Sequence, residues 1–293
     1  MSNTLGLRRR IRSVGNVKQI TKAMELTAAA KMHRSSSAVL GARPYAIRAL
    51  SLVRNLEHRG ITNHPLLEVR PINSELLVAI FTDRGMVGSI NTQLARSIAL
   101  HVKNTHHKID LIVVGKKGAK FIGKSGLSVI ASYTDIPSKL SFEYTRPISL
   151  QARLSFESNK YDLVNVAYNH FASTLSQRPT IMQVLPFIDH PDSKLTNINT
   201  KEEEKLLLES IIEPDLSTLF NSVLPRLVDQ LVFEAMLEAL ASEYAASMVA
   251  MRNATDNAED LLSDLQLSYN SIRQSSITAE MAEISASIAA MED

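Results

Sequence analysis

Over the last third of the chain the apolar residues recur three or four apart. They are Leu227, Leu231, Leu237, Leu240, Tyr244, Met248 and Met251, then, after a polar patch, Leu262, Leu265, Tyr269, Ile272, Ile277, Met281, Ile284 and Ile288. No Gly or Pro follows Pro225, so this spacing predicts one long helix within 208–293. A continuous helix of about 65 residues extends roughly 100 Å. Such a rod cannot bury its stripe inside an ordinary globule and needs a partner of similar length. The other end of the chain offers one. From Leu7 to about Leu56 the apolar positions Leu7, Ile11, Val14, Ile20, Met24, Leu26, Met32, Val39, Ile47, Leu50 and Val53 again follow helical spacing. Gly41 and Pro44 can kink this helix without ending it, and Ala28, Ala29 and Ala30 allow two backbones to approach closely.

The pattern changes after Gly60, Asn63-His64-Pro65 and Pro71-Ile72-Asn73, all turn signals. Short apolar runs at Leu76–Phe81, Ile109–Val114, Leu127–Ile130, Asp162–Ala167 and Ile181–Phe187 predict buried strands. Helices are predicted between them at Asn91–Lys103, Lys117–Lys124 and Ile148–Ser158. Strands alternating with helices imply an inserted, Rossmann-like doubly wound α/β domain. The expected organisation is an N-terminal coiled-coil helix over 1–58, the α/β domain over 74–190, a linker over 191–207 and a C-terminal coiled-coil helix over 208–293.

Charge strengthens the pairing. Residues 1–60 carry twelve Lys or Arg and two Glu, a net +10, whereas residues 201–293 carry five basic and eighteen acidic residues, a net −13. Rods of opposite sign favour each other over self-pairing, so the expectation is an intramolecular antiparallel coiled coil. The basic run Arg8-Arg9-Arg10-Ile11-Arg12 could track nucleic-acid phosphates, but aromatics for base stacking make up only 5% of the chain and its far end is acidic. No nucleic-acid partner is expected. Cysteine is absent, which excludes disulfides and thiol chemistry. No stretch of eighteen consecutive apolar residues and no signal-peptide pattern is present.

Several long motifs carry a resemblance. Arg8 to Met32, ending Ile20-Thr21-Lys22-Ala23-Met24-Glu25-Leu26-Thr27-Ala28-Ala29-Ala30-Lys31-Met32, resembles the amino-terminal helix of the gamma subunit of F-type ATP synthases. The companion signature is Ala241-Ser242-Glu243-Tyr244-Ala245-Ala246-Ser247-Met248-Val249-Ala250-Met251 with Asn253-Ala254-Thr255-Asp256-Asn257-Ala258. Leu267-Ser268-Tyr269-Asn270, Arg273-Gln274 and Ser276-Ile277-Thr278-Ala279-Glu280 then follow in order. Between these ends, Asp83-Arg84-Gly85 with Gly88 and Asn91, Gly115-Lys116-Lys117-Gly118, Tyr161-Asp162 and Tyr168-Asn169-His170-Phe171 also look like the family pattern. Without a cysteine-bearing insertion or an organelle presequence, the bacterial type fits best.

The resemblance implies a central rotor shaft, one copy per complex, peripheral on the cytoplasmic face of the bacterial plasma membrane. Its implied partners are alpha and beta subunits, epsilon and the ring of c subunits, whose ion-driven turning reaches the catalytic beta subunits through the shaft. By position, Lys18, Lys22 and Met24 fall where the family faces an acidic loop of beta, and Arg273, Gln274 and Thr278 where it meets a beta catch loop. Glu213 and Asp215 fall in the segment that reaches towards the c ring, or simply form an acidic helix entry. Ser247 stands where relatives usually have Arg, Ile272 and Ser275 replace alanines, Val87 replaces a frequent Cys, and Met291-Glu292-Asp293 charges a usually apolar tip. The competing reading is a non-rotary coiled-coil scaffold that tethers partners.

No catalytic site, cofactor or metal is expected on the chain. Gly118-Ala119-Lys120-Phe121-Ile122-Gly123-Lys124-Ser125 matches the phosphate-loop pattern, but Ala119–Ile122 reads as a helical turn rather than a loop. His101, His106 and His107 cluster with only Asp110 nearby in sequence and read as a solvated loop. The sequon Asn253-Ala254-Thr255 reads as incidental without a secretory signal.

Overall fold

The computed structural model describes residues 2–57, 64–123, 126–187 and 216–292. Two long helices bracket a sheet: α1 is Ser2–Glu57 and α5 is Leu216–Glu292. Between them come a 3₁₀ turn at Pro65–Leu67, β1 (Ser74–Ile80), α2 (Ile90–Asn104), β2 (Lys108–Val114), α3 (Lys116–Ile122), β3 (Ser128–Tyr133), α4 (Phe142–Glu157), β4 (Leu163–Phe171) and β5 (Gln177–Leu185). The linker expected over 191–207, with Glu213 and Asp215, lies outside the described residues. Contacts divide the chain into two compact units, Met1–Ala28 with Ser247–Asp293, and Ala29–Ala246.

The second unit is built on a five-stranded sheet in the order β3-β2-β1-β4-β5. β1 pairs in parallel with both β2 and β4, placing Leu77 opposite Leu111 and Asn165. One face, including Leu77, Phe81, Leu111 and Val113, packs with Leu94 and Ile98 of α2 and Ile122 of α3. The other, including Leu76, Val78, Ile112 and Val166, packs with Ile148, Ala152 and Phe156 of α4 and with α5 from Leu224 to Tyr244. Cover on both faces explains why the central strands read as continuous apolar runs.

Three expectations shift. β5 is antiparallel to β4, joined by a tight turn in which Ser173 and Ser176 exchange backbone hydrogen bonds of 3.0 and 3.2 Å. The hairpin pairing carries β4 on to Phe171 and starts β5 at Gln177, so both strands are longer than their apolar runs. Helix α4 begins at Phe142 and runs through Pro147, because burial of Thr145, Ile148 and Ser149 holds its first turns despite the proline.

Glycine is required at two places. Gly115 has φ +96°, and a Cβ there would sit 2.3 Å from the Phe81 carbonyl oxygen. A Cβ on Gly118 would lie 2.5 Å from Val113 Cγ1 and 2.7 Å from Phe81 Cδ2. Gly118 lies inside α3 and lets that helix pack closely on the sheet, so the phosphate-loop pattern here has no strand–loop–helix cradle. Lys124 and Ser125 of that pattern lie outside the described residues.

Candidate functional site

In the first unit Lys18 Nζ lies 2.8 Å from a Glu259 carboxylate oxygen, and the Thr255 hydroxyl donates to Thr21 Oγ1 at 2.8 Å. Moving three residues forward on α1 moves four back on α5, so the pair is antiparallel. Among the residues of α1 at least partly buried in this unit, Leu7, Ile11, Val14, Lys18, Thr21, Glu25 and Ala28 are spaced alternately four and three apart, with Gly15 and Met24 flanking them. On α5 the matching series is Met251, Thr255, Ala258, Leu262, Leu265, Tyr269 and Ile272, with the same alternation. That 3.5-residue repeat is a coiled-coil seam, and its register sets Ile11 level with Leu265 and Leu7 level with Tyr269.

The seam corrects part of the apolar reading. Ile20 and Leu26 are exposed, because polar Lys18, Thr21 and Glu25 occupy the seam positions around them. Thr255 of the sequon is buried in the seam, where its hydroxyl also lies 2.9 Å from the Met251 carbonyl oxygen. Ala28 is buried but Ala30 is exposed. In the same register Ser2, at the start of α1, comes level with Gln274. The remainder of α5 runs on past it, with Ile277, Met281 and Ile284 exposed by 48%, 64% and 60%.

The candidate contact residues fall into two groups on this pair. Lys18 is partly shielded by Glu259, whose carboxyl it holds below the ordinary range, first through the hydrogen bond and then through its charge. Lys22 reaches Glu25 one turn on at 2.9 Å, and Met24 is half-buried. Arg273 lies fourteen residues beyond Glu259, roughly 21 Å along the helix axis. Gln274 and Thr278 are exposed beside it, and the Thr278 hydroxyl donates to the Gln274 carbonyl at 2.9 Å. Ile272 is a half-buried seam residue, Ser275 is exposed and Val87 is buried in the second unit.

The second unit holds polar clusters that the sequence reading missed. Glu75 is fully buried at the start of β1. His101 Nε2 lies 2.9 Å from Glu75 Oε1, His107 Nε2 lies 2.7 Å from Oε2, and Asn165 donates to Oε1 at 2.7 Å. His101 and His107 are therefore not part of a solvated loop, although His106 is exposed. The imidazoles face the carboxylate directly, and among the described residues no such grouping is arranged to hold a metal ion. Asp83 in the β1–α2 turn accepts the backbone N–H groups of Lys116 and Ile136, and Asn91 clasps Thr82 through two side-chain hydrogen bonds of 3.2 and 2.8 Å. The family-like Asp83-Arg84-Gly85 and Asn91 are thus a structural clasp at the ends of β1, β2 and β3. No helix among the described residues is long and apolar enough to cross a membrane.

Comparison with known proteins agrees with this architecture. The family described as ATP synthase matches residues 3–291. The chain belongs to the ATP synthase gamma chain family. It is 39% identical to the ATP synthase gamma chain of Roseiflexus castenholzii over 299 residues, covering all of both chains. It is 35% identical to that of Desulfitobacterium hafniense over 293 residues, again covering both in full. A chain in the central stalk and c-ring structure of the Tetrahymena thermophila mitochondrial ATP synthase matches with TM-score 0.62 and 28% identity, covering 80% of this chain and 99% of that one. A Euglena gracilis mitochondrial ATP synthase chain shares the fold, with TM-score 0.67, 21% identity and coverage of 99% and 95%. As a gamma chain, the molecule is a non-catalytic, central-stalk subunit of an ATP synthase.

Proposed function

We propose that this chain is the turning shaft that couples ion-driven rotation of a membrane c ring to ATP synthesis on beta subunits. The observation that carries the reading is the antiparallel seam whose longer helix runs on past the other, leaving Ile277, Met281 and Ile284 exposed. A single coiled coil with a one-sided extension has no threefold symmetry, so a surrounding threefold set of sites meets three different faces of it. Each turn can then favour one conformation at a time, provided the shaft contacts those conformations with different free energies.

In this reading Lys18, Lys22 and Met24 slide past an acidic loop of beta, where long flexible lysines hold a diffuse attraction without fixing one geometry. Arg273, Gln274 and Thr278 form a second contact, in which the planar guanidinium makes directional bonds to carboxylates. Glu213 and Asp215 reach towards the c ring, epsilon binds alongside the α/β domain, and one copy serves each complex. The chain sits peripherally on the cytoplasmic face of a bacterial plasma membrane. Support comes from full-length similarity to the gamma chains of Roseiflexus castenholzii and Desulfitobacterium hafniense and from the likeness to a chain of the Tetrahymena thermophila central stalk and c-ring structure.

The test is co-expression with the alpha and beta subunits of a close relative. The expected result is a stable complex with one copy of this chain and faster ATP hydrolysis than alpha and beta alone. A scaffold would bind without changing turnover, which would contradict the proposal.

A further inference from the structure

Glu243 lies on α5 within the second unit and is 6% exposed. With Ile80, Phe81, Thr82, Asn169, Met236 and neighbouring side chains it lines a cavity of about 10 Å³. Asn169 is buried at the far end of β4, and among the described residues its Oδ1 has no hydrogen-bond donor. Its main-chain carbonyl is already taken by the adjacent Ser242 hydroxyl at 2.8 Å. The cavity is therefore lined both by an acceptor lacking a donor among the described residues and by a buried carboxyl group. A carboxylate can only accept, whereas a carboxylic acid can donate.

We propose that Glu243 is held as a neutral carboxylic acid whose proton satisfies Asn169 Oδ1, making the seating of α5 on the sheet dependent on pH. Burial pushes this carboxyl up to about 7, and the nearby Asp83 charge adds to the effect. Asp83 is itself committed as an acceptor, since two backbone N–H groups converge on it. Arg84 in the same turn and Lys31 on α1 oppose the shift, but only in part. Lys31 also lies 5.6 Å over the ring of the neighbouring Tyr244. On the other side of Asn169, His170 is engaged by Glu238 on α5 at 2.6 Å. The folded-state value is raised, so the contribution is complete below the ordinary glutamate range and is lost as pH rises through about 7. Acidification thus tightens this contact, and an alkaline medium loosens it.

The test uses the full-length chain labelled with ¹³C at the glutamate carboxyl carbons, the Glu243 signal being assigned by its loss in Glu243→Asp or Glu243→Gln. The expected titration midpoint is near pH 7, moving downward in Asn169→Ala. A midpoint in the ordinary range of about 4 to 5 overturns the proposal. A midpoint near 7 that Asn169→Ala leaves unchanged overturns the assignment of Asn169 as acceptor. In denaturant titrations the unfolding constant of the natural chain, divided by that of Glu243→Gln, should rise about tenfold per pH unit from roughly 5 to 7 and then level off. A flat ratio across that window contradicts the proposal.

Discussion

Thr21 and Thr255, 234 positions apart in sequence, place their hydroxyl oxygens 2.8 Å apart in the seam of the terminal helices. Thr21 in turn donates to the Lys18 carbonyl at 3.0 Å, so this polar contact also ties into the backbone of α1. Polar residues at seam positions cost stability and fix register. Here they fix which turn of one end lies beside which turn of the other.

The first prediction follows from that register. The chain has no cysteine, so Thr21→Cys with Thr255→Cys introduces the only thiol pair. Oxidation should give a monomer of altered mobility on a denaturing gel, restored by reductant. Each single variant should give no such species. Dimers as the main product of the double variant would mean that the helices pair between chains.

Glu75 should be among the least replaceable side chains of the α/β unit. It is fully buried and gathers His101, His107 and Asn165. Glu75→Ala leaves three polar partners without their acceptor, and each buried polar group left unsatisfied costs about 1–3 kcal/mol. Urea unfolding should show that loss, and a loss below about 1 kcal/mol would contradict the account of the cluster.

Gly118 separates packing from nucleotide binding. Gly118→Ala forces a methyl against Val113 and Phe81 and should cost about 1–3 kcal/mol as an overpacked contact. Equilibrium dialysis of the natural chain with ATP should show no binding at this segment. Saturable binding that Gly118→Ala or Lys124→Ala abolishes would restore the phosphate-loop reading.

Much of this was legible in the sequence, and what escaped it has physical causes. Helical spacing and opposite charge announced the terminal pair, but apolarity alone misplaced Ile20 and Leu26. The seam follows a 3.5-residue repeat that includes Lys18, Thr21 and Glu25, visible only when polar residues are allowed into it. The Glu75 cluster was hidden because its members lie on β1, α2, the α2–β2 turn and β4, up to 90 residues apart. The direction of β5 was missed because its turn, Ser173 to Ser176, contains no Gly or Asn to announce a hairpin. Pro147 masked the start of α4. Of the candidate contacts, Arg273, Gln274 and Thr278 came from family motifs, since an exposed arginine carries no signal of its own.

Exposed apolar side chains beyond the seam should matter only in the complex. Ile277→Ala and Met281→Ala remove surface that α5 does not bury, so the isolated chain should keep its stability within about 0.5 kcal/mol. Assembly with alpha and beta subunits, followed by size-exclusion chromatography, should weaken. A large stability loss in the isolated chain would show that these residues are packed there.

The shaft account is tested most directly by watching the chain turn. A bead attached to the α/β unit of this chain, assembled with immobilised alpha and beta subunits of a relative and supplied with ATP, should rotate in one direction with three pauses per revolution. The pair Arg273→Ala, which removes a charge, and Gln274→Ala, which removes an amide, should lower the force it sustains. A complex that hydrolyses ATP while the bead only fluctuates about a fixed angle would contradict the account.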